Sequence, residues 1–290
     1  MKELLKEIRT YLDMSQAELS ELLNVSFATV NRWENGRAVP NKLAQSTLYE
    51  LCKERQVPVY DMVIEKIKKC SESLKLEDSR ILLYHGSKSG IEGKIEPKSR
   101  SQCDFGKGFY MGTEPSQALT LICDYDKSKF YIVSVDVNML EVLDIPADLS
   151  WAMVVAYHRG RMEKIKGTAI YNKYHDMANG KDMIIGSIAD DRMFYVIDNF
   201  FIGNITDAAL VNSLSALELG KQYVAITQKA CDLVKIECEI ELSYLERQFL
   251  KEVAEANRAK GTSLANDICK NYRREGLFFD EILDAALKEV

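Results

Sequence analysis

Histidine is scarce in this chain: there are three in 290 residues, His85, His158 and His175. So few imidazoles argue against a zinc centre, and no metal is expected. The seven cysteines, at 52, 70, 103, 123, 231, 238 and 269, include no C-x-x-C pair, and their number is odd. They read as small core residues in a reduced, cytoplasmic compartment rather than as a disulfide framework. Long apolar runs are also missing. None approaches the ~18 residues that span a membrane, and residues 1–7 read as an amphipathic helix start rather than a signal peptide. Positive charge is not in surplus: 38 Lys and Arg stand against 44 Asp and Glu, for a net charge of −6. Contact with nucleic acid therefore has to come from a local patch. There is no internal repeat and no low-complexity tract.

What is present is an apolar fraction of 47%, enough for a real core, in a chain long enough for two domains. Helical spacing opens it, with Leu4, Leu5, Ile8 and Leu12 on one face. Ser15-Gln16-Ala17-Glu18 is a capping box that starts a short helix through Leu19, Leu22 and Leu23. Asn24-Val25 makes a tight turn. Ser26 caps a third helix from Phe27 to Glu34, which Asn35-Gly36 closes, and Pro40 precedes a fourth carrying Leu43, Leu48 and Leu51. Short helices, a tight turn and a second capped helix describe helix-turn-helix geometry.

The run Ser15-Gln16-x-x-Leu19-x-x-x-Leu23-x-Val25-Ser26-x-x-Thr29-Val30-x-x-Trp33-Glu34-Asn35-Gly36-Arg37-x-x-Pro40 resembles the phage-repressor (Cro/C1) DNA-binding domain. The resemblance implies a third helix seated in the major groove of a double-stranded operator. Phe27, Ala28 and Arg32 would face base edges, and Gln16, Ser26, Asn35 and Arg37 would hold phosphates. It also implies binding as a homodimer. A helical bundle used for protein contact is the competing reading, because the segment carries about as many acids as bases.

The remainder is α+β, without regular βαβ alternation. Expected strands are residues 81–85, 91–97, 130–137, 140–144, 221–227 and 231–240, with a short apolar strand from Ile184 ahead of Asp190 and Asp191. A helix is expected from Pro115, and a helical pattern between Ser150 and Asn179. Two stretches stand out: Tyr84-His85-Gly86-Ser87, and, about 20 residues on, Asp104-Phe105-Gly106-Lys107-Gly108-Phe109-Tyr110-Met111-Gly112. Glycine lets a backbone approach a flat ligand, and tyrosine offers a face to stack on. The second stretch fits neither G-x-x-x-x-G-K-[ST] nor G-x-G-x-x-G. A structural histidine after a strand, and a loop packed on a core, are the plainer readings of the two.

Together with Gln117-Ala118 in the following helix, these stretches resemble the ADP-ribosyltransferase fold of the diphtheria-toxin and poly(ADP-ribose)-polymerase branch, over residues 81–236. An uncharacterised bacterial family of that clan, often encoded with toxin–antitoxin-like partners, is the nearest likeness. The resemblance implies a split β-sheet and NAD as ligand or substrate. His85 would bond the adenosine ribose, Gly86 would grip the carboxamide with Ser87 nearby, and Tyr110 would stack on nicotinamide against a wall thinned by Gly106 and Gly108. Gln222 stands where the family has its catalytic glutamate. It can bind a hydroxyl but cannot act as a base. Leu119, Thr120 and Leu121 stand where a second tyrosine is usual. Asp190 or Asp191, in Ile188-Ala189-Asp190-Asp191-Arg192, supplies the missing carboxylate, or else forms an exposed loop with a local Asp–Arg pair.

The expected organisation is a DNA-binding domain over 1–66, a linker over 67–79, an NAD-binding domain over 80–240 and a helical extension over 241–290. Three C-terminal helices are expected, separated at Gly261 and Gly276. They either restrain the site or complete the core. The expected activity is transfer of ADP-ribose to a protein or nucleic acid, in a toxin–antitoxin or defence setting with a partner protein. The alternative is a non-catalytic regulator that senses NAD or a related nucleotide.

Overall fold

The computed structural model describes residues 1–188, 191–216, 220–272 and 274–288. It begins with five helices: α1 (Lys2–Tyr11), α2 (Gln16–Leu22), α3 (Phe27–Glu34), α4 (Lys42–Glu54) and α5 (Val59–Ser73). The start of α2 is the full capping box, since Ser15 accepts from the Glu18 amide while the Glu18 carboxylate accepts from the Ser15 amide. Ser26 and Asn41 cap α3 and α4 by accepting from the Thr29 and Ala44 amides, without a reciprocal partner. Asn24 adopts a positive φ of 50° in the tight turn between α2 and α3. Helix α5 runs through the first part of the stretch expected as linker, and a loop at 74–79 leads on to the sheet.

The strands are β1 (Arg80–Ser87), β2 (Phe109–Gly112), β3 (Lys129–Asp136), β4 (Val142–Asp144), β5 (Met183–Ser187), β6 (Lys221–Ala225) and β7 (Val234–Glu241). They form one seven-stranded sheet in the order β4-β5-β6-β2-β1-β3-β7. Only β4 and β5 pair in parallel; the other pairings are antiparallel. The fold is thus α+β, a helical N-terminal region followed by a mixed sheet with helices. The sheet is weakest in its middle. Strand β1 pairs with β3 along its whole length, but with β2 at one register point, Tyr84 opposite Gly112.

Helices α6 (Pro115–Ile122), α7 (Leu149–His158), α8 (Ala169–Asp176), α9 (Asp191–Phe201), α10 (Asp207–Ala216), α11 (Gln228–Asp232), α12 (Tyr244–Tyr272) and α13 (Phe279–Lys288) complete the chain. One sheet face, with Leu83, Phe109, Met111, Tyr131 and Ile185, packs on Ala230 and Cys231 of α11. The other face carries two separate cores. Ile184 and Val224 pack with Trp151 and Phe200. Tyr84, Phe130 and Ile132 pack with α6, with Leu245 and Phe249 of α12, and with the apolar faces of α1 to α5.

Three expectations change. Residues 91–97 form no strand. Their apolar side chains Ile91 and Ile95 settle on the sheet as a loop, and the Ile91 amide donates to the Tyr131 hydroxyl at 2.9 Å. Residues 231–240 are not one strand, because Thr227 caps α11 by accepting from the Ala230 amide, and β7 starts after it. The break expected at Gly261 does not occur: α12 runs 29 residues straight through it. Mid-helix glycine costs about 1 kcal/mol, and α12 offsets that by packing on α4, α5, α6, α9 and α10. The chain does turn at Gly276, which takes a φ of 77° before α13.

Candidate functional site

The exposed side of α3 is the candidate DNA surface. Phe27 is 54% exposed, and Ser26, Ala28, Arg32, Asn35 and Arg37 are exposed around it. Val30 and Trp33 are buried on the opposite side. Gln16 is held in place: its Nε2 donates to Glu34 Oε2 at 2.7 Å, and its Oε1 accepts from Asn31 Nδ2 at 3.1 Å. Glu34 also takes the Arg9 Nε at 2.6 Å. Burial pushes the Glu34 carboxyl up, but the hydrogen bonds from Arg9 and Gln16 outweigh it and hold the group below the usual carboxylate range. Asn31 was not among the expected contacts. It lies one turn after Phe27 on the same side, and the i,i+4 spacing was the available signal.

The second candidate site is where β1 and β2 part. Antiparallel register would bring His85 opposite Met111 and then Gly86 opposite Tyr110. Instead the His85 Nδ1 reaches the Tyr110 carbonyl at 2.7 Å. A carbonyl only accepts, so Nδ1 carries the proton and Nε2 keeps its lone pair. Burial lowers the His85 pKa, against a smaller raising effect of that bond, so the ring is neutral at pH 7. It stacks on Phe109 with centroids 4.2 Å apart. Ser87 Oγ donates to the Gly90 carbonyl at 2.8 Å. Gly86 is required by close approach, because a Cβ there would stand 2.4 Å from the Ala118 carbonyl of α6.

Tyr110 does not share a face with His85. Side chains alternate along β2, so its ring joins Trp151 and Val224 on the far side. Its hydroxyl accepts from the Phe105 amide at 3.0 Å and donates to the Gly106 carbonyl at 2.8 Å. The glycine-rich loop therefore curls back on its own tyrosine. The Gly108 amide donates to Ser99 Oγ at 3.0 Å, and Asp104 takes Arg159 Nη2 at 2.6 Å. A Cβ on Gly106 would meet His158 Nδ1 at 2.8 Å, and one on Gly108 would meet Val224 Cγ1 at 2.4 Å. Contacts inside the protein account for both glycines. The thin wall that was expected to face a ligand is packed against α7 and β6.

Gln222 sits beside Gly112 on one side and Gly186 on the other. It is 5% exposed. Its Nε2 donates to the Ser187 carbonyl at 2.9 Å, an oxygen that also accepts from Trp151 Nε1 at 3.1 Å. A glutamate could not make that bond while ionised. Asp190 lies outside the described residues, and Asp191 opens α9 just after β5. Glu114 was not singled out as a site residue. It is exposed and precedes α6 at the N-cap position without a side-chain cap bond, and its Cγ would lie 2.7 Å from a Cβ placed on Gly220, just ahead of β6.

A sequence profile described as helix-turn-helix matches residues 5–56. Another, described as a protein of unknown function (DUF3990), matches residues 81–236, more than half of the chain. This chain belongs to the DUF3990 family. No curated protein and no solved structure matches it significantly. The helix-turn-helix makes it a DNA-binding protein, and the DUF3990 domain spans β1 to the middle of β7. Among the described residues, no helix is long and apolar enough to cross a membrane.

Proposed function

We propose that this DNA-binding DUF3990 protein takes NAD into the gap where β1 and β2 part. The observation that carries the reading is His85: a neutral imidazole at the fork, with Nδ1 donated to the Tyr110 carbonyl and Nε2 left as an acceptor suited to a ribose hydroxyl. Strands that separate expose backbone groups on both sides of the gap. That suits an extended, two-ended ligand better than a flat ring clasped from one side, and His85 and Tyr110 stand on opposite faces. Gly86 lies at the fork, and its backbone is the group that would meet the carboxamide.

Bound NAD would supply an ADP-ribosyl group, whose bond to nicotinamide breaks as a bond to an acceptor forms. Gln222 can accept a ribose hydroxyl there but cannot take a proton. The regulatory reading, in which ligand binding alters DNA binding without transfer, is therefore the better supported of the two. Transfer keeps one observation in its favour: α9 opens at Asp191 a few residues after β5, whose Gly186 pairs with Gln222. A homodimer on a two-fold operator, a partner protein from a toxin–antitoxin-like locus and a cytoplasmic setting belong to the same proposal.

The test is incubation of the full chain with NAD labelled in its adenylate part, for wild type and His85→Ala. Saturable binding that the substitution abolishes supports the site. Label that survives denaturation, on protein or DNA, establishes transfer. If wild type binds no NAD, the proposal falls.

A further inference from the structure

Two cysteines far apart in sequence meet where the helix-turn-helix region rests on the sheet. Cys70 is on the last turn of α5 and Cys238 on edge strand β7, and their sulfurs are 3.5 Å apart across 168 residues of chain. Both are half-buried. The approach is fixed on each side. On α5, the neighbouring Ser71 hydroxyl lies 3.1 Å from that of Tyr84 on β1. On β7, Cys238 follows a bulge: it pairs with Ile132 while Ile236 pairs with Val133, which leaves Glu237 as the extra residue. The Glu237 carboxylate accepts from the Ser134 hydroxyl at 2.5 Å, holding the bulge to β3.

We propose that Cys70 and Cys238 form a reversible disulfide that fastens the helix-turn-helix region to the DUF3990 domain under peroxide. A disulfide has an S–S length of about 2.05 Å, so the sulfurs need to close by about 1.5 Å, within the reach of side-chain rotation. Burial and the neighbouring Cys70 push the Cys238 thiol up to about 11. The thiolate is the attacking form, so a raised thiol makes Cys238 a poor first nucleophile, and the step is written with Cys70 attacking. The Cys70 sulfur attacks one oxygen of hydrogen peroxide and breaks the O–O bond, giving a sulfenic acid and one water. The Cys238 sulfur then displaces the sulfenic hydroxyl, which leaves with the thiol proton as a second water. Two thiols are oxidised and one peroxide is reduced, and a small-molecule thiol reverses the step by exchange.

The loop at 74–79 makes the bond visible, because Lys75 is exposed and lies between the two cysteines in sequence. The full chain is treated with hydrogen peroxide, its free thiols are blocked, and it is nicked by brief trypsin digestion. It is then run on denaturing gels with and without reductant. The expected result is two fragments that stay joined until reduced, with a Cys70–Cys238 cross-linked peptide in the mass spectrum. Cys70→Ser and Cys238→Ser should each release the fragments without reductant. The oxidised wild type should melt on the order of 5–10 °C above the reduced form. Both thiols remaining free after oxidation would overturn the proposal. So would cross-links spread over other cysteines, or a cross-link joining two chains.

Discussion

His85 and Tyr110 leave the parting strands on opposite faces of the sheet, yet they are joined, because the imidazole Nδ1 donates to the Tyr110 carbonyl at 2.7 Å. A side chain takes the place of a ladder bond. The width of the gap between β1 and β2 is therefore set by an imidazole rather than by two peptide groups. Removing the ring releases the Tyr110 carbonyl without necessarily unfolding either strand.

Acid should loosen the protein through its buried histidines. Burial lowers the pKa of His85 and pushes His158 down to about 4, whereas unfolded imidazoles titrate near about 6.5. The folded state then binds fewer protons, so this stability is fully present above about 6.5 and falls as pH drops below it. For His158 the loss continues to about 4. Urea midpoints measured across this range should decline, and His158→Gln should flatten the decline.

Placing a carboxylate at position 222 should harm folding. Gln222→Glu removes the donor to Ser187 and buries a charge in its place, a cost of about 2–3 kcal/mol at pH 7. Burial raises the folded pKa of such a glutamate. The cost should therefore be absent in acid and appear as pH rises through the unfolded value of about 4.3. Chemical denaturation at pH 4 and pH 7 measures the difference.

Gly86→Ala should displace α6. A Cβ 2.4 Å from the Ala118 carbonyl meets backbone, which cannot swing aside as a side-chain end can. A loss of about 2–3 kcal/mol is expected, at the upper end of overpacking costs. Gly86 is built into the fold as well as lying at the fork. NAD binding by this variant should therefore be read against its thermal midpoint.

Arg32→Ala should weaken DNA binding and leave folding unchanged, because Arg32 is exposed on α3. A base contact is worth about 1–3 kcal/mol, or roughly 5- to 150-fold in affinity. A phosphate contact would instead lower affinity evenly across sequences and reduce the salt slope by about one. Titration of operator and unrelated duplexes at two salt concentrations separates the two outcomes.

Local chemistry made the first helices legible. Ser15 with Glu18, and Ser26, carry their own caps, and Asn24 takes the positive φ its turn requires. The α+β class and the cores of most strands were legible for the same reason. Elsewhere distant partners decided. The neighbours of Gly106 and Gly108 are His158 and Val224, and no local pattern announces them. Gln222 is occupied by a carbonyl 35 residues away. Gly261 carries a helix-breaking propensity that α12 overrides by packing along most of its length. Nothing in the alternation of β1 and β2 taken singly shows that His85 and Tyr110 face apart. That depends on the register of Tyr84 with Gly112.

Helix α12 also bears on the order in which the protein can form. The Leu245 amide donates to Gln45 Oε1 at 3.1 Å, Phe249 packs edge-on against Tyr49, and Glu252 takes the Tyr49 hydroxyl at 2.5 Å. These residues form one wall of the helix-turn-helix core. During synthesis α1 to α5 leave the ribosome first, and they wait for about 170 further residues before that wall arrives. A chain that stops short of α12 leaves the DNA-reading helices with an apolar flank uncovered.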